Sequence, residues 1–463
     1  MTNTIVTVNV TQTIAPTPSV LQQTGAIVSQ GGTTTAQGTK TLLTQASDLT
    51  PILRVPLALS GLTFSTGVVT ATTAAPHGYT TGAVFRITIA GELPAGYNGT
   101  FLCTITGPST FTYAMAIDPG PETQTGTYVP QHATELYNAV TTFFAQGAAT
   151  AVYVLEVGLG QDSDGIAYLT TWIEDNSTPQ FFYSYLVPKS WGNGDTSDFT
   201  TLLASYENTT AKTYFFVTTD ADSYTDFADK KCVVAMIESP DAPNTEFSLA
   251  SVFYVTLHYN PSTTNKVTPL SFAYVFGVTP YPSPGNGPLF TALKAAGVNW
   301  ISNGAEGGIS NTMVVWGTTM DVRPFNYWYS VDWTQINIDL DLSNAIINGS
   351  NDPINPLYFN QNGIDRLQNV AANTLSRGVT FGMILGRVTQ VALDGPDFLV
   401  ALDDDDFAGQ TVINAVPFIP YNLENPSDYK IGRYSGFSVV MTPLRGFDQI
   451  VFNVNVTDFV AGP

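Results

Sequence analysis

Residues 151–176, AVYVLEVGLGQDSDGIAYLTTWIEDN, decide the fold. The run 151–157 is apolar at nearly every position, as expected of a strand covered on both faces. Glycines and acids at 158–164 then turn the chain, and 165–175 returns apolar residues at helical spacing. Working outward, the same alternation continues: a helix at 131–145, a strand at 181–187, a helix at 197–206, strands at 213–218 and 232–237, and a helix at 246–258. Apolar strands separated by helices predict a parallel or mixed sheet with helices against it. A strand at 313–316, after the Gly-rich loop 303–308, is assigned to the same domain.

Upstream, the texture changes. Strands are expected at 66–73, 83–90, 99–106, 110–116 and 125–129, punctuated by Pro76-His77-Gly78, Asn98-Gly99 and Pro119-Gly120-Pro121. This spacing predicts a small inserted all-β module at 61–130, a sandwich or barrel. Downstream, helices at 325–347 and 361–375 precede strands at 378–391, 398–402, 411–420, 437–442 and 449–459, read as antiparallel sheet on helices. Both ends read as strands. Val6, Val8 and Val10 alternate with polar residues beside Ile5, and Ile450, Phe452, Val454 and Val456 do the same. Pro16 and Pro18 make the N-terminal strand a tethered one. The fold class is therefore α/β (α+β) and multidomain. An N-terminal arm occupies 1–20, an α/β domain 21–60 and 131–322, the β module 61–130, a C-terminal domain 323–447 and a C-terminal arm 448–463.

Of the 463 residues, 44% are hydrophobic, with 22 Tyr and 27 Phe, so the chain folds. Only 11% are charged, against about 25% in ordinary soluble domains. The surface must be built from Thr, Ser, Asn, Gln and Gly, which suits a subunit packed against its own copies or a Thr-rich extracellular protein. With 37 acidic and 16 basic residues the formal net charge is −21, which repels a phosphate backbone. Nucleic acid is not an expected partner. The start, Met1-Thr2-Asn3-Thr4, carries no basic or apolar signal region, and no run approaches the roughly 18–20 apolar residues that cross a bilayer. Cys103 and Cys232 lie in apolar strand-like runs and are expected as buried free thiols.

Few groups in the chain could perform chemistry. His77, His132 and His258 have no second histidine at ligand spacing, so structural roles are expected and no zinc motif is present. The 155–165 loop resembles a dinucleotide turn, but its third glycine is out of register. Asp162 and Asp164 would also meet the pyrophosphate with negative charge. Asp403-Asp404-Asp405-Asp406 lacks the spacing and glycine of a calcium loop and reads as a solvated run. Asp339 and Asp341, near Asp332, point apart on a helix. No catalytic, cofactor or metal residues are nominated. Arg366, Arg377 and Arg387 make 357–390 locally basic, and Arg366 and Arg377 lie about three turns apart near one helix face. They either dock an acidic partner or pair internally.

The block Val416-Pro417-Phe418-Ile419-Pro420-Tyr421 through Gly432-Arg433-Tyr434, with Thr442-Pro443-Leu444-Arg445-Gly446-Phe447 and Phe452-Asn453-Val454-Asn455-Val456, resembles tail sheath proteins of contractile-tailed bacteriophages. The N-terminal strand, residues 45–53 and the 327–347 helix with Asp332-Trp333 fit the same family. The resemblance covers most of the chain outside 61–130. It implies a non-enzymatic virion protein, assembled in the host cytoplasm, whose hexameric rings stack helically around a tail tube between baseplate and tail terminator proteins. It also implies contraction without nucleotide, driving the tube through the host envelope for genome ejection. Arms at 4–11 and 448–459 would add strands to neighbouring copies by β-augmentation. Arg366 and Arg377 would then face the tube, and the β module would lie on the outside. Two other readings are a phage fibre or carbohydrate-binding protein, and a glycan-active enzyme with two carboxylates in a cleft.

Overall fold

The computed structural model describes residues 18–447 apart from 178, 241–244, 283–285 and 307–308. The arm residues Ile5, Val6, Val8, Val10, Ile450, Phe452, Val454 and Val456 lie outside the described residues. Strand β1 (Gly25–Ser29) and edge strand β2 (Lys40–Leu43) come first. Next are β3 (Leu57–Ser65), β4 (Val68–Thr73), β5 (Val84–Ala90), β6 (Gly99–Gly107), β7 (Thr110–Ala114) and β8 (Thr127–Pro130). Then follow α1 (Gln131–Ala145), β9 (Val152–Glu156), α2 (Asp162–Asp175), β10 (Ser184–Leu186), α3 (Ser197–Ala204), β11 (Tyr214–Thr219), β12 (Val233–Ile237) and α4 (Leu249–Leu257). Helix α5 (Gly287–Ala296) and the hairpin β13 (Trp300–Glu306) and β14 (Ile309–Val315) lead to the long helices α6 (Phe325–Ser350) and α7 (Gln361–Thr380). The described chain closes with β15 (Val388–Val391), α8 (Gly395–Asp403), β16 (Thr411–Ala415), α9 (Phe418–Glu424), α10 (Pro426–Ile431) and β17 (Phe437–Val440).

The protein is a mixed α/β multidomain chain. Its main sheet runs β12-β11-β10-β1-β9-β2, parallel except for β2 at the edge. Strand alternation sends Ile27, Val154, Tyr214, Phe216, Val234 and Met236 to one face, against α1, α4 and α6. Ala26, Val28, Leu155, Phe215, Val217 and Val233 go to the other, against α2, α3 and α5. Both faces are covered, which is why these strands are apolar throughout. Helix α6 places Phe325, Trp328, Tyr329 and Trp333 in the first core, and Ala371, Ala372 and Leu375 of α7 and Ile413 of β16 extend that same core. The α/β sheet and the C-terminal lobe thus share one apolar interior.

Residues 57–130 form a closed barrel, β3-β4-β7-β6-β5-β8, packed inside by Val69, Phe85, Ile87, Ile105, Phe111 and other buried side chains. Closure leaves no strand edge free on this module. It starts at Leu57, earlier than position 61, because a register shift between Leu59 and Gly61 breaks the alternation by which its first strand would be read.

The C-terminal lobe departs from expectation in several elements. The expected strand at 398–402 is helix α8, started by the Asp394 side chain accepting the Asp397 N–H at 2.9 Å. A five-residue apolar run does not distinguish the two structures, and here the cap decides. Because α8 is a crossover, β15 and β16 pair in parallel and only β16 and β17 are antiparallel, so this three-stranded sheet is mixed. Of the expected 378–391 strand only β15 forms, after α7 has run on to Thr380 and two left-handed glycines, Gly382 and Gly386, have turned the chain. The expected strand at 411–420 ends at Ala415, and Pro417 opens α9. The strand around 313–316 pairs with β13 as a hairpin and not with the main sheet.

Candidate functional site

In an open α/β sheet a ligand is held outside the carboxyl ends of the strands where the winding reverses. Here that point lies at β1, with β9 on one side and β10, β11 and β12 following in order on the other. The crevice is filled by the chain itself. Glu156, at the end of β9, accepts five hydrogen bonds from the loop after β1 and from its own turn. The donors are Ser29 Oγ (2.8 Å), Gly31 N (2.6 Å), Thr33 N (3.0 Å), Thr33 Oγ1 (2.7 Å) and Gly158 N (2.8 Å). Gln30 joins this loop to the far side, accepting from Trp191 Nε1 at 2.9 Å and donating to Gln161 O at 2.5 Å. The N-terminus of α2 is occupied by its own Asp164, which accepts the Gln161 N–H at 2.9 Å. What remains between β1, β10 and α1 is a void of about 10 Å³, room for one water at most.

Charge lines that void. The buried His132 ring lies 3.4 Å from Glu135 and 3.7 Å from Asp162. Burial disfavours its charge, but the two carboxylates outweigh burial and hold the imidazole up at about 9. The Lys189 N–H donates to Glu135 at 2.5 Å, and its ammonium pairs with Glu238. Asp332 of α6 is fully buried, and its Oδ2 accepts the hydroxyls of Tyr183 (2.9 Å) and Tyr214 (2.8 Å) from β10's entry and β11. Burial drives this carboxyl up to about 6, with Lys231 and the two hydroxyls opposing. Asp332 therefore ties the C-terminal lobe to the main sheet. Neither Asp332 nor Glu156 was nominated from sequence. The available signals were an acid inside the aromatic run Trp328-Tyr329-Trp333 and an acid ending an apolar strand before glycine.

The remaining sequence candidates are dispersed. His77 Nδ1 accepts the Tyr79 N–H at 3.0 Å inside the barrel, and His258 meets Thr150 Oγ1 at 2.8 Å while stacking on Tyr254. Asp403, Asp404, Asp405 and Asp406 are exposed at the end of α8. Among the described residues, no three His, Cys, Asp or Glu side chains converge as for a metal, and no helix is long and apolar enough to cross a membrane. Cys103 and Cys232 are buried and free. Arg366 and Arg377 share α7 but hold different partners. Arg366 donates to the carbonyls of Asn355 and Pro356 at 3.2 Å, whereas the exposed Arg377 pairs with Asp341 of α6. Arg387 reaches Gln410 at 3.4 Å. Beside Arg366 a cleft of about 390 Å³ opens between α6 and α7, floored by Leu357, Leu367 and Val370.

Two faces of the C-terminal lobe stand open. Beyond β17 there is no further strand among the described residues, and Ser438, Val439 and Val440 are exposed along it. Helix α9, followed by α10, packs beside it through Tyr421, Tyr434 and Phe437. The two helices leave Ile419, Leu423 and Ile431 exposed, and Phe447, at the end of the described chain, is 81% exposed.

No family model matches the chain, and no curated protein matches it in sequence. Among solved structures, a sheath tail protein from Listeria innocua is similar at 12% identity and a TM-score of 0.39, over 78% of this chain and 85% of that one.

Proposed function

We propose that this chain is a structural subunit of a phage tail sheath, polymerising as stacked hexameric rings around a tail tube and contracting without nucleotide. The observation that carries the reading is the β17 edge, unpaired among the described residues, beside exposed Ile419, Leu423, Ile431 and Phe447, in a chain whose two ends carry the alternation of strands. An unpaired edge of this kind is satisfied by a strand from another chain. The arms at 4–11 and 448–459 of neighbouring copies are the strands that would complete this edge. The closed barrel cannot take part in such pairing, which fits a place on the outside of the assembly. On this reading the free energy of contraction would reside in subunit packing.

The concentrated full chain is expected to form tubes or six-fold rings by electron microscopy. Deleting 448–463 is expected to leave thermal unfolding unchanged while raising the concentration needed for tubes by at least tenfold, about 1.4 kcal/mol per contact. Tubes assembled by the truncated chain at the wild-type concentration would sink the arm exchange.

Arg366 and Arg377 are proposed to face the tube from α7. Changing both to Gln removes the charge without setting a carboxylate against Asp341. Co-sedimentation with tail tube protein is then expected to weaken about tenfold and to lose its salt dependence. Equal binding by the double variant would remove both residues from that interface.

A further inference from the structure

One corner of the barrel interior is acidic and incompletely bonded. Glu92, after β5, is 1% exposed, and its Oε1 accepts the Gly126 N–H at 2.7 Å. The Asn98 amide clamps Glu92's main chain from both sides, at 2.8 and 2.9 Å. Glu122 enters from the segment before β8, and its Oε2 accepts the Leu62 N–H at 2.6 Å. An antiparallel bridge between Leu93 and Gln124 lays the two acid-bearing segments side by side. Burial pushes the Glu92 carboxyl up, the Gly126 N–H opposes it, and the adjoining Glu122 raises it further.

Three buried oxygens in this corner have no hydrogen-bond partner: Glu92 Oε2, Glu122 Oε1 and the Tyr113 hydroxyl. Tyr113, on β7, is 2% exposed and fixed by its ring stacked on Phe101 at 4.4 Å. Burial pushes its hydroxyl up, and Cys103 and then Glu92 raise it further. An unmatched buried carboxylate oxygen costs about 1–3 kcal/mol, and more when charged. Yet each glutamate is anchored by a main-chain N–H through its other oxygen, so both are held facing inward.

We propose that Glu92, Glu122 and Tyr113 hold a partly hydrated divalent cation inside the barrel. The donors are all hard oxygens, the set that takes Mg²⁺ or Ca²⁺ and not a soft transition metal. Two carboxylates neutralise one such ion, and a hydrated ion of this class is commonly held by one or two carboxylates with water completing its shell. A proton shared between the two carboxyl groups would satisfy two of the oxygens and leave the phenol unmatched, whereas a bound ion with its waters would offer a partner to each. The ion would tie β7, the segment after β5 and the segment before β8 together at one end of the module.

The test uses the full chain and terbium(III), a hard-oxygen probe whose luminescence is excited through a tyrosine near the ion. Wild type is expected to give a saturable signal that millimolar Ca²⁺ or Mg²⁺ displaces. Glu92→Gln and Glu122→Gln are each expected to weaken terbium binding at least about tenfold, and Tyr113→Phe to reduce it less. The exposed run Asp403 to Asp406 gives a background that none of these variants alters. If Glu92→Gln does not fold, Glu122→Gln, at a less buried position, carries the same comparison. A wild-type signal with no saturable component above background, or one unchanged in Glu122→Gln, overturns the proposal.

Discussion

Replacing Glu156 by alanine is expected to destabilise the protein by about 4 kcal/mol or more, the largest loss from any single side chain described above. Its carboxylate is the common acceptor for three main-chain N–H groups and two hydroxyls, at 2.6–3.0 Å. Hydrogen bonds to a charged group are worth roughly 1.5–3 kcal/mol each, and donors left buried without an acceptor cost their full desolvation. Set against a typical total of about 5–15 kcal/mol, the loss leaves a chain that is mostly insoluble or melts far below wild type. Glu156→Gln is the informative companion. An amide NH₂ can donate to Ser29 Oγ and Thr33 Oγ1 once those hydroxyls turn, but it must face either the Thr33 N–H or the Gly31 and Gly158 N–H groups. The amide variant is therefore expected to lose about half as much, measured as unfolding free energy in urea. An alanine variant within about 1 kcal/mol of wild type would show that this loop is not held by the carboxylate.

That anchor also shows where sequence reading stops. The apolar run ending at Glu156 was legible as a doubly covered strand, because burial on both faces removes polar positions. Helix α1 was legible because its apolar residues recur on one side. What a strand's last residue bonds to depends on which loop the topology brings over it, and residues 29 and 156 meet only through the sheet. The same holds for Asp332, whose tyrosine partners lie over a hundred positions away. In the C-terminal lobe the signals were local but opposed. The run Phe398 to Leu402 suits either element, and the Asp394 cap with Pro396 tipped it to helix, which in turn made β15 and β16 parallel. The two arginines of α7 were correctly placed on one helix, yet Asn355 and Asp341, supplied by the loop before α7 and by α6, determine what they hold. The acidic corner of the barrel was invisible, because Glu92 and Glu122 sit in turns whose sequence advertises only the turn.

The second large effect concerns pH: stability is expected to fall between about pH 4 and pH 9. Asp332 sets the lower half of this window. Its folded value of about 6 stands above its ordinary 3.8, so the folded protein holds this proton more tightly than the unfolded chain does. The resulting stability is complete below 3.8 and is lost as pH rises through 6. At about 1.4 kcal/mol for each pH unit between the two values, the loss is about 3 kcal/mol. His132 sets the upper half. Raised from 6.5 to about 9 by Asp162 and Glu135 against burial, it contributes fully below 6.5 and loses about 3 kcal/mol as pH rises through 9. Below about pH 4 the trend reverses, because Glu135 and Asp162 are held lower than ordinary carboxyls by the same imidazolium. Asp332→Asn keeps an acceptor for Tyr183 and Tyr214 and is expected to flatten the profile between pH 4 and 6 while leaving the upper half intact. His132→Gln is expected to do the opposite, being weakest relative to wild type near pH 6 and converging on it above pH 9. Urea unfolding of the three proteins across this range measures both arms. A wild-type profile level from pH 5 to 9 would mean that neither buried group changes charge where its surroundings require. Because Asp332 joins α6 to the main sheet and His132 lies where the barrel meets α1, loss of either proton loosens a joint between parts of the chain.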